Sequence, residues 1–137
     1  GCTNENAPNY NSGANLDNGL CLIGSICKAQ GSNSNTVDVN FTAIENIYGF
    51  ELTISGGSIE SASSALAESE GFTLSVSESK LIAFSLSGSY ISSTEGTLVS
   101  IQFESDVNAS DILIDEWVIS GEGGKNLVFT SSGECAP

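Results

Sequence analysis

There is no histidine, no arginine and no methionine in this chain, and its three lysines, Lys28, Lys80 and Lys125, stand against 17 acidic residues. Without histidine, no Ser-His or Cys-His nucleophile can be assembled and no mixed Cys/His zinc site can be completed. The lysines sit in ordinary strand or loop contexts and offer no obvious base. Paired carboxylates could serve a glycosidase, which needs only two. Asp115 and Glu116, however, are neighbours on an expected strand and point to opposite faces, and Glu68 and Glu70 fall in an acidic turn. The chain therefore reads as a non-enzyme. Its formal net charge of −14 repels phosphate backbones and anionic lipid headgroups. Nucleic acid is excluded as a partner, and cations, neutral glycans and other proteins remain. Long apolar runs are missing too: Leu20–Ile23 and Ile112–Ile114 are far too short to insert in a membrane.

What is present is a chain of 137 residues, 39% hydrophobic, enough for one domain with its own core. Charged residues are only 15%, so much of the surface must be neutral Ser, Thr, Asn and Gly, as is common in extracellular adhesion and fibre proteins. Four cysteines, Cys2, Cys21, Cys27 and Cys135, with no Cys-x-x-Cys among them, point to two disulfides and an oxidising compartment: secreted, extracellular or at the cell surface. The chain opens on Gly1 with no signal peptide and is expected to be a processed product or one unit of a longer polypeptide.

Residues 1–19 are dense in Asn, Gly and Ser with almost no apolar periodicity, and read as a linker loop that only a disulfide or a bound cation could order. Residues 20–137 read as the folded domain. Apolar residues there recur with a period of two, as in strands with one buried side. Leu20–Ala29 is the first such run, broken at Gly24. Val37, Val39 and Phe41 follow, then Tyr48, Phe50, Leu52 and Ile54; Phe72, Leu74 and Val76; Ile82, Phe84 and Leu86; Val99, Ile101 and Phe103. In Asp111–Ser120 the phase changes between Ile114 and Trp117, which calls for a bulge or a strand break near Asp115-Glu116. Leu127–Thr130 ends the series. Gly-containing turns separate the runs. Ser61–Glu70 differs: Ala62, Ala65, Leu66 and Ser69 fit one helical face and Gly71 suits a C-terminal cap. The expectation is an all-β, two-sheet sandwich of jelly-roll or Ig-like type, with about nine strands and one short helix or turn near 61–70.

Two resemblances sharpen this. GCTNENAPNYNSGANLDNGLC, residues 1–21, is similar to a Cys-containing repeat of secreted surface proteins, matching at Gly1-Cys2-Thr3, Ala7, Asn9-Tyr10-Asn11, Ala14, Asp17, Gly19 and Cys21. Such repeats look like calcium-stabilised linkers, although Pro8, Asn4 and Asn18 replace a cysteine and two carboxylates of the pattern. Residues 36–130 resemble cohesin-like domains through TVDVNF, YGFELTI, GFTLSV, LIAFSLSG and GTLVSIQF. That resemblance implies a nine-stranded jelly roll. It leaves the role open, because cohesin-like modules occur in dockerin-binding scaffolds and in other surface proteins.

Several site residues follow as expectations. Asn4, Glu5, Asn9, Asn11, Asn15 and Asp17 supply oxygens that a calcium ion could use, though without EF-hand spacing; the same Asn residues suit Asx-turns. Asp111, Asp115 and Glu122 form a weaker second set. Four cysteines allow three pairings; Cys2–Cys21 would close the linker, and Cys27–Cys135 would tie the first strand to the C-terminal tail. Asn40-Phe41-Thr42 and Asn108-Ala109-Ser110 are glycosylation sequons, in a chain so rich in Asn, Ser and Thr that neither carries weight alone. Leu20, Leu22, Ile23 and Ile26 lie on a short apolar strand after the linker, which either pairs within its own sandwich or adds to a neighbouring copy. Tyr90 and Trp117 are the aromatics a glycan binder would expose. Together these point first to a structural module of an extracellular fibre, joined head to tail into a homo-oligomer through the N-terminal segment. The alternative is a cohesin-like recognition module for a dockerin-like protein or a glycan.

Overall fold

In the computed structural model the described residues are 22–135, without the side chain of Leu22. The linker at 1–19, its six candidate calcium ligands, Cys2, Cys21 and Leu20 therefore lie outside the described residues. The elements run β1 (Leu22–Gln30), β2 (Thr36–Ala43), β3 (Gly49–Ser55), β4 (Ile59–Ser63), α1 (Ala65–Ser69), β5 (Thr73–Val76), β6 (Lys80–Phe84), β7 (Glu95–Phe103), β8 (Leu113–Ser120) and β9 (Asn126–Glu134). Single 3-10 turns at Ala109–Asp111 and Glu122–Gly124 precede β8 and β9.

The strands join in the order β4-β7-β2-β1-β9-β8-β3-β6-β5. β9 makes the corner. It pairs antiparallel with β8 only at Leu127 and Asn126, then runs parallel to β1 from Val128 onward. The sheet thus divides into a five-stranded layer, β4-β7-β2-β1-β9, and a four-stranded layer, β8-β3-β6-β5. Val37, Phe41, Ile101 and Phe103 from the first and Phe50, Leu52, Leu81 and Ile119 from the second belong to one buried cluster. Burying these side chains is the main force holding the layers together. The all-β class, the nine strands and the short helix agree with the reading of the sequence.

Local irregularities tune this pattern. Asp115 is skipped in the pairing of β8 with β3, which runs Thr53–Glu116 and then Ile54–Ile114. That bulge brings both Ile114 and Trp117 to the inner side. A second bulge, in β7, skips Leu98 between Val99 and Thr97 and buries Leu98 and Val99 together. Helix α1 is capped at its start by Ser64, whose hydroxyl accepts from Ala67 N at 3.2 Å while Glu68 Oε2 accepts from Ser64 N at 2.9 Å. Gly71, at φ +80°, ends it as expected. The first half of the 61–70 segment is not helical, because Ser61–Ser63 pair with β7.

Three expectations need correcting. First, Gly24 does not break β1. It lets two neighbours approach, since a Cβ there would stand 2.1 Å from the Thr42 carbonyl oxygen and 2.6 Å from the Phe129 ring. Second, β6 has the opposite phase. Leu81 and Ala83 are buried, while Ile82 is exposed, Phe84 half-buried and Leu86 89% exposed. Ala83 lies opposite Phe50 and Leu81 opposite Leu52, so a small residue accommodates a large one and the bulkier set is turned outward. Third, Lys28 is not an ordinary strand lysine: it is 6% exposed, and its ammonium donates to the Ile112 carbonyl. Of the two readings of the N-terminal apolar strand, pairing within its own sandwich is the one seen in the single chain: β1 is paired along Gly24–Gln30 with β2 and on its other side with β9, and Ile23 and Ile26 fill its own core.

Candidate partner-binding face

In a half-buried sheet the outward positions are normally polar, and the five-stranded layer obeys this rule. Thr36, Asp38, Asn40 and Thr42 of β2 face out beside Ser25 and Cys27 of β1. Ser25 and Thr42 hydroxyls bond at 2.9 Å, as do Thr97 Oγ1 and Asn40 Oδ1. Among the described residues, none of the exposed large hydrophobics lies on β1, β2, β7 or β9.

The four-stranded layer departs from the rule. On its outer side Ile82 stands opposite Glu51, and Glu51 opposite Val118. One row away Phe84 is opposite Gly49, and Gly49 opposite Ser120. Ile82, Val118 and Leu113 are all exposed. Gly49, having no side chain, forms the floor of a groove of about 380 Å³ whose walls include Tyr48, Ile82, Phe84 and Val118. Ser85, Gly88 and Ser89 close one end of it. Their turn is held by the Ser85 hydroxyl, which accepts from Ser87 N at 3.2 Å and from Ser89 N at 3.0 Å. That turn carries the exposed Leu86.

One acid lies in the groove's wall, Glu51, loosely paired with Lys80 at 3.8 Å. Tyr48 stacks obliquely on Tyr90, with ring centroids 5.0 Å apart. The Tyr48 phenol is raised above its usual value, first by loss of hydration, then by the Glu122 carboxylate and by Tyr90. Lys125 is drawn to Glu45 at 2.7 Å.

Other candidate residues fall elsewhere. Trp117 faces inward, opposite Leu52, and is no glycan platform; Tyr90 is exposed but leans on Tyr48. Asp111, Asp115 and Glu122 are not brought together, and no group of three or more acids or cysteines among the described residues could hold a metal. A larger cleft of about 700 Å³ lies at one end of the sandwich, lined by Asn33, Ser34, Asp106 and Asn108 among others. Gln30 organises it: Nε2 donates to the Thr36 and Val107 carbonyls at 3.1 Å and Oε1 accepts from Ala109 N at 3.0 Å. Cys27 and Cys135 form a disulfide, the pairing the sequence favoured for them, on the polar outer side of β1. Asn40 Nδ2 donates to the Cys135 sulfur at 3.5 Å. The outward apolar set on β6 went unseen in the sequence because period-two alternation fits either phase, and only the register with β3 selects one.

No family model matches the chain, and no curated relative matches it. Two solved structures are similar in shape. A non-cellulosomal cohesin from the hyperthermophilic archaeon Archaeoglobus fulgidus superposes with a TM-score of 0.54 at 16% identity, over 81% of this chain and 88% of the other. A chain in a crystal structure of a CaDoc0917–CaCohA2 complex at pH 5.5 has a TM-score of 0.49 at 15% identity, over 80% of this chain and 96% of the other. At such identities the likeness concerns the fold, and the fold of this chain is that of a cohesin-like β-sandwich.

Proposed function

We propose that this domain is a recognition module that binds a protein partner through the outer face of β8-β3-β6-β5. The observation that carries the reading is the contrast between the two layers: Ile82, Val118 and Leu113 are exposed on one outer face, whereas among the described residues no exposed large apolar side chain lies on a strand of the other. Large apolar side chains gathered on one outer face of an otherwise polar domain mark that face as an interaction site. Gly49 opens a groove in its middle that a partner side chain can enter, and the exposed Leu86 offers a contact beside it. Glu51 in the groove's wall and the net charge of −14 favour a partner with an apolar stripe flanked by Lys or Arg, drawn in by complementary potential. A dockerin-like polypeptide is the class of partner that the cohesin-like fold brings to mind. The disulfide fits an oxidising, extracellular setting, and no helix among the described residues is long and apolar enough to cross a membrane. A fibre joined through β1 has less support, since β1 is already paired on both sides.

The test is cross-linking of the folded domain to the secreted proteins of its source, beside an Ile82→Glu/Val118→Glu variant. The expected result is a partner whose cross-links map to β3, β6 and β8 and vanish in the variant. Cross-links that persist unchanged in the variant, or that join only copies of the domain, would overturn the reading.

A further inference from the structure

We infer that Asn108, and not Asn40, is the acceptor for an N-linked glycan on the folded domain. The local pattern of the two sites is the same, Asp-Val-Asn-x-Ser/Thr with Asp38 and Asp106 two residues upstream, and the sequence already reads Asn108 as the more accessible, in a loop, with Asn40 facing outward on a strand. The structure shows what holds them apart. Asn40 lies on β2 between two paired strands, β1 and β7. Its carboxamide is engaged at both ends, Oδ1 by Thr97 and Nδ2 by the Cys135 sulfur. The sequon hydroxyl on Thr42 is held by Ser25. Placing Asn40 in a transferase would mean freeing all of these groups and stripping an interior strand from its neighbours.

Asn108 faces none of these obstacles. It sits in a loop, exposed, in extended conformation at φ −102° and ψ 138°, and its side chain makes no capping bond to the 3-10 turn it precedes. Ser110 is exposed as well. The backbone beneath is anchored, with Ala109 N bonded to Gln30 and Asp111 N to the Asn108 carbonyl at 2.9 Å, so the amide is presented without opening the core. Beside it lies the polar cleft of about 700 Å³, where Asn33 and Asp106 can hydrogen-bond the first sugars. Gly49 floors the groove on the binding face and Gly56 lines this cleft. The length of β3, about 23 Å at the usual rise per residue, separates them, so a glycan here leaves the groove open.

The donor is an oligosaccharide linked through a diphosphate to a lipid. The Asn108 Nδ2–C1 bond forms as the C1–O bond to the diphosphate breaks. Nδ2 gives up one proton to the transferase, and the lipid diphosphate leaves.

The experiment offers purified, folded full-length chain to a single-subunit oligosaccharyltransferase that accepts Asp-x-Asn-x-Ser/Thr, with its lipid-linked donor. The same chain, reduced and unfolded, is run alongside, and both are read by intact mass and peptide mapping. The folded chain is expected to take one glycan, at Asn108; the unfolded chain is expected to take a second, at Asn40. Asn40→Gln leaves the folded product unchanged. Asn108→Gln and Ser110→Ala each abolish it, and because both positions are exposed their fold is checked independently by circular dichroism. Transfer to Asn40 in the folded chain would overturn the inference. So would absence of transfer to Asn108 in the folded chain, whether or not the unfolded chain is modified.

Discussion

The indole Nε1 of Trp117 donates to the carbonyl oxygen of Phe129 at 3.0 Å, tying β8 to β9 where their backbone pairing has already ended. Beyond Ile119–Leu127 the two strands diverge into separate layers, and this bond satisfies a carbonyl that the β8–β9 ladder no longer reaches. Trp117→Phe keeps most of the apolar volume and loses the donor. It should lower stability by about 1–3 kcal/mol, the cost of leaving a part-buried acceptor unpaired, measured by urea unfolding.

The disulfide constrains far more of the chain. Cys27 and Cys135 are 108 positions apart in sequence, so the bond closes a loop containing nearly every described strand. In the chain-entropy account a loop of that length contributes about 4–5 kcal/mol. A Cys27→Ala/Cys135→Ala variant should lose that much in equilibrium unfolding. A loss under about 1 kcal/mol would mean that the hydrogen bonds between β1 and β9 already hold the tail in place.

The phase of β6 can be tested with two adjacent residues. Leu81 is fully buried and Ile82 is 37% exposed. Leu81→Ala should cost about 2–5 kcal/mol. Ile82→Ala should cost under about 1 kcal/mol while weakening partner binding. The reverse ranking in thermal unfolding would restore the outward set to the core.

Lys28 gives a prediction of opposite sign. Its ammonium is buried with the Ile112 carbonyl as its hydrogen-bond acceptor, and a buried cation gives back little of its desolvation cost through one neutral acceptor. Lys28→Met should be at least as stable as the parent, to within about 1 kcal/mol. Lys28→Ala, which also leaves a cavity, should cost about 2 kcal/mol or more. A large loss for Lys28→Met would show that the charge itself holds the turn at Ala109–Asp111.

Composition and periodicity alone determined much of this molecule. Alternation in Thr36–Ala43 and in Glu95–Phe103 can be satisfied only by strands with one buried side, and the phase change in Asp111–Ser120 demanded a bulge or a break, of which the register selects a bulge at Asp115. The absence of histidine removed the usual routes to nucleophilic catalysis. These are local properties, set by side chains a few residues apart. The tertiary structure decided what depends on partners distant in sequence. Whether Leu81 or Ile82 turns inward depends on the volume of Phe50 opposite Ala83. Whether β1 is an edge or an interior strand depends on β9, about a hundred residues later. The apolar groove exists because Gly49, Phe84 and Val118 come from three different strands, and no window of sequence contains all three. Two identical Asp-Val-Asn segments were already legible as one strand and one loop, but the bonds that engage Asn40 and Thr42 come from β1, β7 and the C-terminal tail and exist only once the chain has folded.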